Sequence, residues 1–425
     1  MNIIETILIG REILDGRVTD TNSVFIGDEL NKRGLCPRFS QKVDDNIDRI
    51  INCFQTAQSR SNTVFVTGGL GPTSDDLTLQ AFANFIGKSL SLNSLALEQI
   101  QQRFVQINRP FTETQKKQAY FPEGGEILTN PVGTAPGFSY LHNNVQWFFM
   151  PGVPKEMKFI FTNEILPKIT PSSQHQSYTW YTQFTSEGEL QRRLTGAIQK
   201  AESQDFELTF RTKFPENHIG LINNKASSST RPKFQELVTE ITQILSDGCF
   251  SFGENPSSLE STVLDLCRDS NLDIVTAESC TGGLVASRLT SVPGASQNFW
   301  GSFICYDNSA KTQLGVDPKI LNQFGAVSEN CATELALQAA RKKLIASNKP
   351  TLALSTTGIA GPSGSTAEKP VGLCFVSAQM WNSNTNCAWS LTEKVQARPG
   401  LSRAENILFF SQKCLALAFT GLKNG

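Results

Sequence analysis

The residues best suited to chemistry cluster in Thr276-Ala277-Glu278-Ser279-Cys280-Thr281-Gly282-Gly283, where hydroxyls, a thiol and a carboxylate run into paired glycines. Ile274 and Val275 lead in with β-branched side chains, and Leu284, Val285 and Leu289 recur at helical spacing. The turn is therefore predicted where a strand passes into a helix N-terminus. N–H groups left unpaired at such a place attract anions and oxyanions, and can activate a hydroxyl or thiol. The same residues equally describe an ordinary helix cap made by Ser279 or Thr281.

Histidine narrows the chemistry. Only His142, His175 and His218 occur, none beyond residue 250, so a catalytic unit in the last third must find its base among Lys, Tyr, Asp or Glu. The hydroxyls there are Ser279, Ser296, Tyr306, Thr356 and Thr357, with Lys311 and Lys369 as cations. A lysine desolvated among hydroxyls can lose its proton at neutral pH and serve a serine nucleophile, which suits amide hydrolysis. Backbone N–H groups of Thr281, Gly282 and Gly283 would hold the tetrahedral oxyanion. Cys280 is the rival nucleophile, without an obvious base. A second glycine loop, Gly358-Ile359-Ala360-Gly361-Pro362-Ser363-Gly364-Ser365, follows the predicted strand 351–357, and two such loops can enclose one ligand. The Ser279 turn is not a phosphate loop of the Walker type, since no Gly-Lys-Ser/Thr follows its glycines.

Another constellation lies near the start. The predicted strand Thr63–Thr67 runs into Gly68-Gly69-Leu70-Gly71-Pro72-Thr73-Ser74-Asp75-Asp76. Three glycines permit close approach of backbone N–H groups to a phosphate, and two adjacent carboxylates could hold a divalent cation bridging to it. The alternative treats Asp75 and Asp76 as charges at the start of the amphipathic helix carrying Leu79, Phe82, Ala83, Phe85 and Ile86.

The elements that must position these groups alternate. A strand at Thr6–Gly10, a helix near 22–30, a helix with Ile47, Ile50, Ile51, Phe54 and Ala57 on one face, and the 63–67 strand predict an α/β domain over 1–170 with a mainly parallel sheet. Ligands of such sheets bind beyond the carboxyl ends of the strands. The polar stretch Pro171–Ser177 is a predicted linker. A small α+β domain over 171–250 follows, with strands at 178–184, 206–210 and 219–222, a helix capped by Ser186 and Glu189, and a helix at 234–245. An α/β domain over 251–425 completes the chain, including a long helix from Ser328 that is acidic at its start and basic at its end. His218 is expected to be structural.

At 425 residues, two or three domains are expected. Lys plus Arg number 38 against 39 Asp plus Glu, a net charge of -1 that offers no global support for nucleic-acid or membrane-surface binding. The start, MNIIETILIG, lacks the basic opening and apolar run of a signal peptide, so a cytoplasmic protein without membrane partners is expected. Ten cysteines, scattered without C-x-x-C pairing or a Cys/His cluster, indicate neither a disulfide framework nor a zinc site.

GGLGPTSDDLT, with Gly10, Glu12, Asp20-Thr21-Asn22, Val43–Asn46, Asn130–Gly137 and Pro151–Met157, resembles the N-terminal domain of the CinA (competence/damage-inducible) family, itself similar to the molybdopterin-binding MoaB/MogA fold. The resemblance implies a three-layer α/β domain, a nucleotide diphosphate ligand and metal-dependent cleavage of the ADP-ribose pyrophosphate bond. It further implies Asp45 and Asp76 nearest a divalent cation (Mg, Mn or Co) with Asp75 beside them, and Asn22, Thr134, Gly68, Gly69, Gly71 and Thr73 around the ligand. Arg11 stands where the family usually carries an acidic residue, implying weaker metal binding or an added phosphate contact. A KH-like domain is implied for 171–250, yet no basic Gly-x-x-Gly clamp is present, so a spacer or dimerising role is expected, in a homodimer, rather than nucleic-acid binding.

AESCTGGLVASRLTSVPGAS, YDNSAK, GAVSE and TTGIAGPSGSTAEKPVGL resemble the CinA C-terminal domain, whose implied activity is hydrolysis of nicotinamide mononucleotide (NMN) to nicotinate mononucleotide and ammonia without a cofactor. The motif matches imply Ser279 as nucleophile, Tyr306 and Lys311 as its activating pair, and Ser296 and Thr357 around the carboxamide. The loop with Gly358 and Gly361, together with Arg398 or Arg403, is implied to bind phosphate. Rival functions are a non-catalytic nucleotide-binding regulator and, from the first domain alone, a molybdopterin-handling enzyme.

Overall fold

The computed structural model describes residues 3–171, 175–382 and 386–424, so 172–174 of the expected linker lie outside the described residues. The chain divides into two compact units, Met1–Gln176 with Asn224–Ala226, and Ser177–Asn223 with Ser227–Gly425.

In the first unit a six-stranded sheet runs in the order Pro37–Val43, Ile4–Ile9, Thr63–Thr67, Val145–Met150, Gly137–His142, Glu126–Leu128. The first four strands are parallel and the last two antiparallel. Side chains of a strand alternate between faces, and the 63–67 strand shows the result. Val64 and Val66 pack with Ile50, Phe54 and Phe82, whereas Phe65 packs with Ile26, Leu30, Met157, Ile160 and Phe161. Helices on both faces make this a three-layer α/β domain. The helix Ile47–Arg60 is fixed at its start by Asn46, whose side chain accepts from the Arg49 N–H, and buries Ile50, Phe54 and Ala57. Truncating a buried phenylalanine such as Phe54 would cost about 3–5 kcal/mol.

The second unit holds two sheets. Four strands, in the order Glu207–Lys213, Glu216–Asn223, Gln176–Gln183, Cys249–Gly253, form an α+β layer with the helices Glu187–Arg193, Thr195–Ser203 and Arg231–Ile244. Its last strand, which the sequence reading does not contain, pairs antiparallel with Gln176–Gln183 and crosses residue 250. Five strands follow in the order Phe299–Ile304, Asp273–Glu278, Thr351–Gly358, Leu373–Trp381, Cys387–Gln396, the first three parallel. Again the faces separate: Ile274, Leu352 and Leu354 pack with the helices Leu259–Asp269 and Arg403–Asn424, while Val275, Ala277 and Ala353 meet Leu335, Ala336, Ala339 and Ala340 of Glu329–Ala346. No helix among the described residues is long and apolar enough to cross a membrane.

Candidate functional site

The strand Asp273–Glu278 delivers Ser279 to the carboxyl edge of the sheet, where Gly282 and Gly283, at φ of 59° and 99°, turn the chain into the helix Leu284–Thr290. Only glycine takes such angles without steric cost. The turn is organised by a residue that the sequence reading passes over. Glu278 is fully buried, and its carboxylate accepts from the N–H groups of Gly283, Val285 and Ala286 (3.0, 3.0 and 2.8 Å) and from the Thr281 hydroxyl at 2.7 Å. The protein thus fills its own helix N-terminus with a carboxylate.

That corrects the role expected of Thr281, Gly282 and Gly283. The Thr281 hydroxyl is spent on Glu278 and on Thr356 at 2.7 Å, the Gly282 N–H donates to the Ser279 carbonyl, and the Gly283 N–H donates to Glu278. None of the three lines the cavity beside Ser279. The N–H groups of Cys280 and Thr281 make no hydrogen bond among the described residues, and of the two residues only Cys280 borders the cavity.

The cavity measures about 190 Å³ and brings together Ser279, Lys311, Tyr306, Thr357, Gly358 and Arg403. Its volume lies below the roughly 300–1,000 Å³ of pockets that swallow a whole drug-sized ligand, so it matches one ring-sized group. Ser279 is 7 % exposed and its hydroxyl makes no hydrogen bond among the described residues. Lys311 sits in the helix Asn308–Leu314, which is capped by Asp307. Its amine is buried, donates to the Tyr306 carbonyl at 2.9 Å, and burial holds its pKa below the usual lysine value. Cys331, the largest influence in the opposite sense, has its own thiol pushed up to about 11 by burial, so at neutral pH it carries no charge to hold the lysine protonated.

Tyr306 acts through both ends. Its carbonyl receives Lys311, and its hydroxyl accepts from Arg403 at 2.9 Å, so the phenol bonds to the arginine and not to the lysine as the expected pairing implies. Arg403 also donates to the Gly361 carbonyl at 2.6 Å, tying the second glycine loop to the start of the last helix. Thr357 lines the cavity with its hydroxyl donated to the Ala326 carbonyl at 2.6 Å. Asn308 lines it too; the sequence reading misses it, although it stands three residues before Lys311 on one helix face.

Two expected residues are elsewhere. Ser296 is exposed in the turn Ala295–Gln297, which leads into the strand Phe299–Ile304. Phe299 pairs with Ile274 and Ile304 with Glu278, so Ser296 lies at the sheet edge opposite Ser279. Arg398 sits over the Phe214 ring at 5.7 Å and lines a different cleft. Cys280 borders the cavity, but its sulfur is 3.6 Å from that of Cys374 and belongs to the apolar core.

In the first unit, a cleft of about 460 Å³ at the carboxyl ends of the parallel strands is lined by Gly68, Gly69, Gly71, Asn22, Thr134, Asp45, Asp75 and Asp76, together with Glu12. Gly68 must be glycine: a Cβ there would lie 2.0 Å from the Ile9 carbonyl oxygen. Asn22 donates to the Gly152 carbonyl at 2.9 Å and leaves its own buried amide oxygen without a partner, an acceptor aimed at a ligand donor. The Thr73 backbone N–H donates to Asp76 at 2.9 Å and its hydroxyl donates to the same carboxylate oxygen; Thr73 does not line the cleft, which corrects its expected ligand role. Asp45 accepts from the Arg11 N–H at 3.1 Å, and burial, with the charges of Glu12 and Asp75, raises its carboxyl above the ordinary value. Among the described residues, no three His, Cys, Asp or Glu side chains are arranged to hold a metal ion. With Asp76 folded back on Thr73, the donors do not converge on an ion.

Comparison with known proteins agrees with this architecture. Residues 5–171 match the family described as "Probable molybdopterin binding domain", and residues 256–405 match the CinA C-terminal domain. A CinA-like protein of Citrifermentans bemidjiense is 37 % identical over 371 residues, covering 87 % of each chain. Another from Dictyoglomus thermophilum is 34 % identical over 377 residues, covering 88 % of this chain and 89 % of its own. A crystal structure of CinA from Thermoplasma acidophilum, of unknown function, is 36 % identical and covers 40 % of this chain and 98 % of its own, with a TM-score of 0.37. The fold and the two family matches define a multidomain α/β protein in which a molybdopterin-binding-type domain precedes a CinA C-terminal domain. The chain belongs to the CinA family.

Proposed function

We propose that the Ser279 cavity hydrolyses the carboxamide of NMN to nicotinate mononucleotide and ammonia. The observation that carries this reading is an unengaged serine hydroxyl sharing a cavity with a buried lysine of lowered pKa, in a region that has no histidine. Neutral Lys311 removes the Ser279 proton as the oxygen bonds to the carboxamide carbon. The Cys280 N–H, which has no hydrogen-bond partner among the described residues, holds the oxyanion. As it collapses, the C–N bond breaks and ammonia leaves with the proton returned by Lys311. Water, giving a proton to Lys311, then adds to the acyl ester; the C–O bond breaks, nicotinate mononucleotide departs and Ser279 is reprotonated. The ring-sized cavity suits the carboxamide end of the substrate, and Arg403 at its wall suits the phosphate. The core position of the Cys280 sulfur favours Ser279 as nucleophile.

The full chain incubated with NMN and a metal chelator is expected to release ammonia and nicotinate mononucleotide in equal amounts. Absence of both products would favour a nucleotide-binding regulator. For the first unit, the buried amide oxygen of Asn22 and the glycine loop support a nucleotide diphosphate ligand, with ADP-ribose cleavage as its reaction. Incubation with ADP-ribose, with and without added Mg, Mn or Co, tests this: AMP formed in either would show cleavage, and uncleaved ADP-ribose would reduce the cleft to a binding site.

A further inference from the structure

Within the second unit lies a cleft of about 660 Å³ that none of the chemistry above uses. Three aromatic rings from three elements meet in it. Phe214 and Phe409 are stacked at 6.3 Å with their planes 20° apart, and Phe184 stands edge-on to Phe409 at 5.7 Å. Phe184 is 38 % exposed and takes a φ of 62°, a left-handed angle that is strained for a bulky residue. The Lys413 amine sits over the Phe184 ring at 3.7 Å, which leaves Phe214 and Phe409 as the rings open to a ligand.

The charges of the cleft are unequally committed. Glu393 pairs with Lys413 at 3.1 Å, Glu216 pairs with His218 and accepts from Gln412, each at 3.1 Å, and Glu187 accepts from Thr212 at 3.0 Å and Gln191 at 3.2 Å. Lys394 and Arg398 make no ion pair among the described residues, and the Arg398 guanidinium lies 5.7 Å from the Phe214 ring centre. A flat apolar platform beside two unpaired cations selects a planar ring that carries an anion. The volume far exceeds a lone aromatic acid and falls in the range of whole-ligand pockets, roughly 300–1,000 Å³.

We propose that this cleft is a mononucleotide-binding site, with the base against Phe214 and Phe409 and the phosphate on Arg398 and Lys394. It does not depend on what the Ser279 cavity does. Photolabelling of the full chain with 8-azido-AMP, followed by peptide mapping, tests it. Label is expected on peptides holding Phe184, Phe214 or Phe409, displaced by AMP at concentrations at least tenfold lower than by adenosine or ribose 5-phosphate. Arg398→Gln, at an exposed side chain, and Phe214→Ala should each reduce that label at least fivefold while label elsewhere on the chain persists. Label confined to other peptides, no label, equal displacement by adenosine, or undiminished label in both variants would overturn the assignment.

Discussion

Two glycine turns leave the carboxyl ends of parallel strands in this chain, and they treat their acids oppositely. After Thr63–Thr67, Gly68–Gly71 opens onto a cleft of about 460 Å³ and Asp76 is held at the rim by Thr73. After Asp273–Glu278, the acid comes before the glycines, is fully buried, and occupies the helix N-terminus itself. A glycine turn before a helix is therefore an anion site only where the chain does not supply the anion. The first turn keeps the arrangement open for a ligand. The second uses it to fasten the loop that presents Ser279, leaving the Cys280 N–H at the cavity without a partner among the described residues.

A parallel contrast separates two buried lysines of the second unit. Lys343 is fully buried, paired with Asp273 at 2.9 Å, and donates to the Ser347 carbonyl at 3.3 Å. Lys311 is 2 % exposed with one carbonyl acceptor and no ion pair among the described residues. The first is held by an ion pair, and the second has none, its pKa lowered by burial.

The largest effect expected from these contrasts is on turnover. Lys311→Met should lower ammonia release from NMN by about 10²–10⁴-fold, as loss of a general base does, while raising stability by about 1 kcal/mol because an uncompensated buried amine is removed. Lys343→Met should do the reverse, losing stability in a denaturant titration because Asp273 keeps only Lys349 of its two lysine partners, with ammonia release per folded molecule unchanged. Equal behaviour of the two variants would break the contrast.

Next comes the buried acid. Glu278→Ala strips the acceptor from three N–H groups and the hydroxyls of Thr276 and Thr281, and should cost about 3–5 kcal/mol in the unfolding of the second unit. Asp76→Ala, at a half-exposed rim, should cost about 1 kcal/mol in the first. Similar losses would mean that the two turns are built alike.

The smallest effect concerns pH. Because the folded pKa of Lys311 lies below that of the unfolded chain, the unfolded state binds more protons between the two values. Stability contributed at this position therefore rises with pH through that window, and turnover rises with it as the amine becomes neutral. The stability slope should vanish in Lys311→Met, which thermal denaturation across alkaline pH would show.

Much of this was legible in the sequence because it is local or periodic. Strand and helix alternation, the Ile50–Phe54–Ala57 face and the Ser279 turn are read from spacing, and Lys311 emerges because histidine is missing. What was not legible depends on direction in space. Glu278 folds forward onto the N–H groups of its own turn, which spacing does not reveal. Arg398 and Arg403 are five residues apart, yet one follows the end of a strand and faces the Phe214 cleft while the other begins a helix and faces Ser279. Ser296 follows the same turn-rich stretch as Ser279 and is carried to the far sheet edge by parallel pairing. The helix Arg403–Asn424 buries residues on more than one face, Phe410, Cys414, Leu415, Ala418 and Phe419 among them, which blurs any single stripe.

The most direct test places Ser279→Ala and Cys280→Ala side by side in the full chain and measures ammonia released from NMN. Turnover is expected to fall at least about 10³-fold in Ser279→Ala and to change no more than about threefold in Cys280→Ala, as for a missing nucleophile against a core thiol. Retained turnover in Ser279→Ala with loss in Cys280→Ala would contradict the assignment of Ser279 as nucleophile.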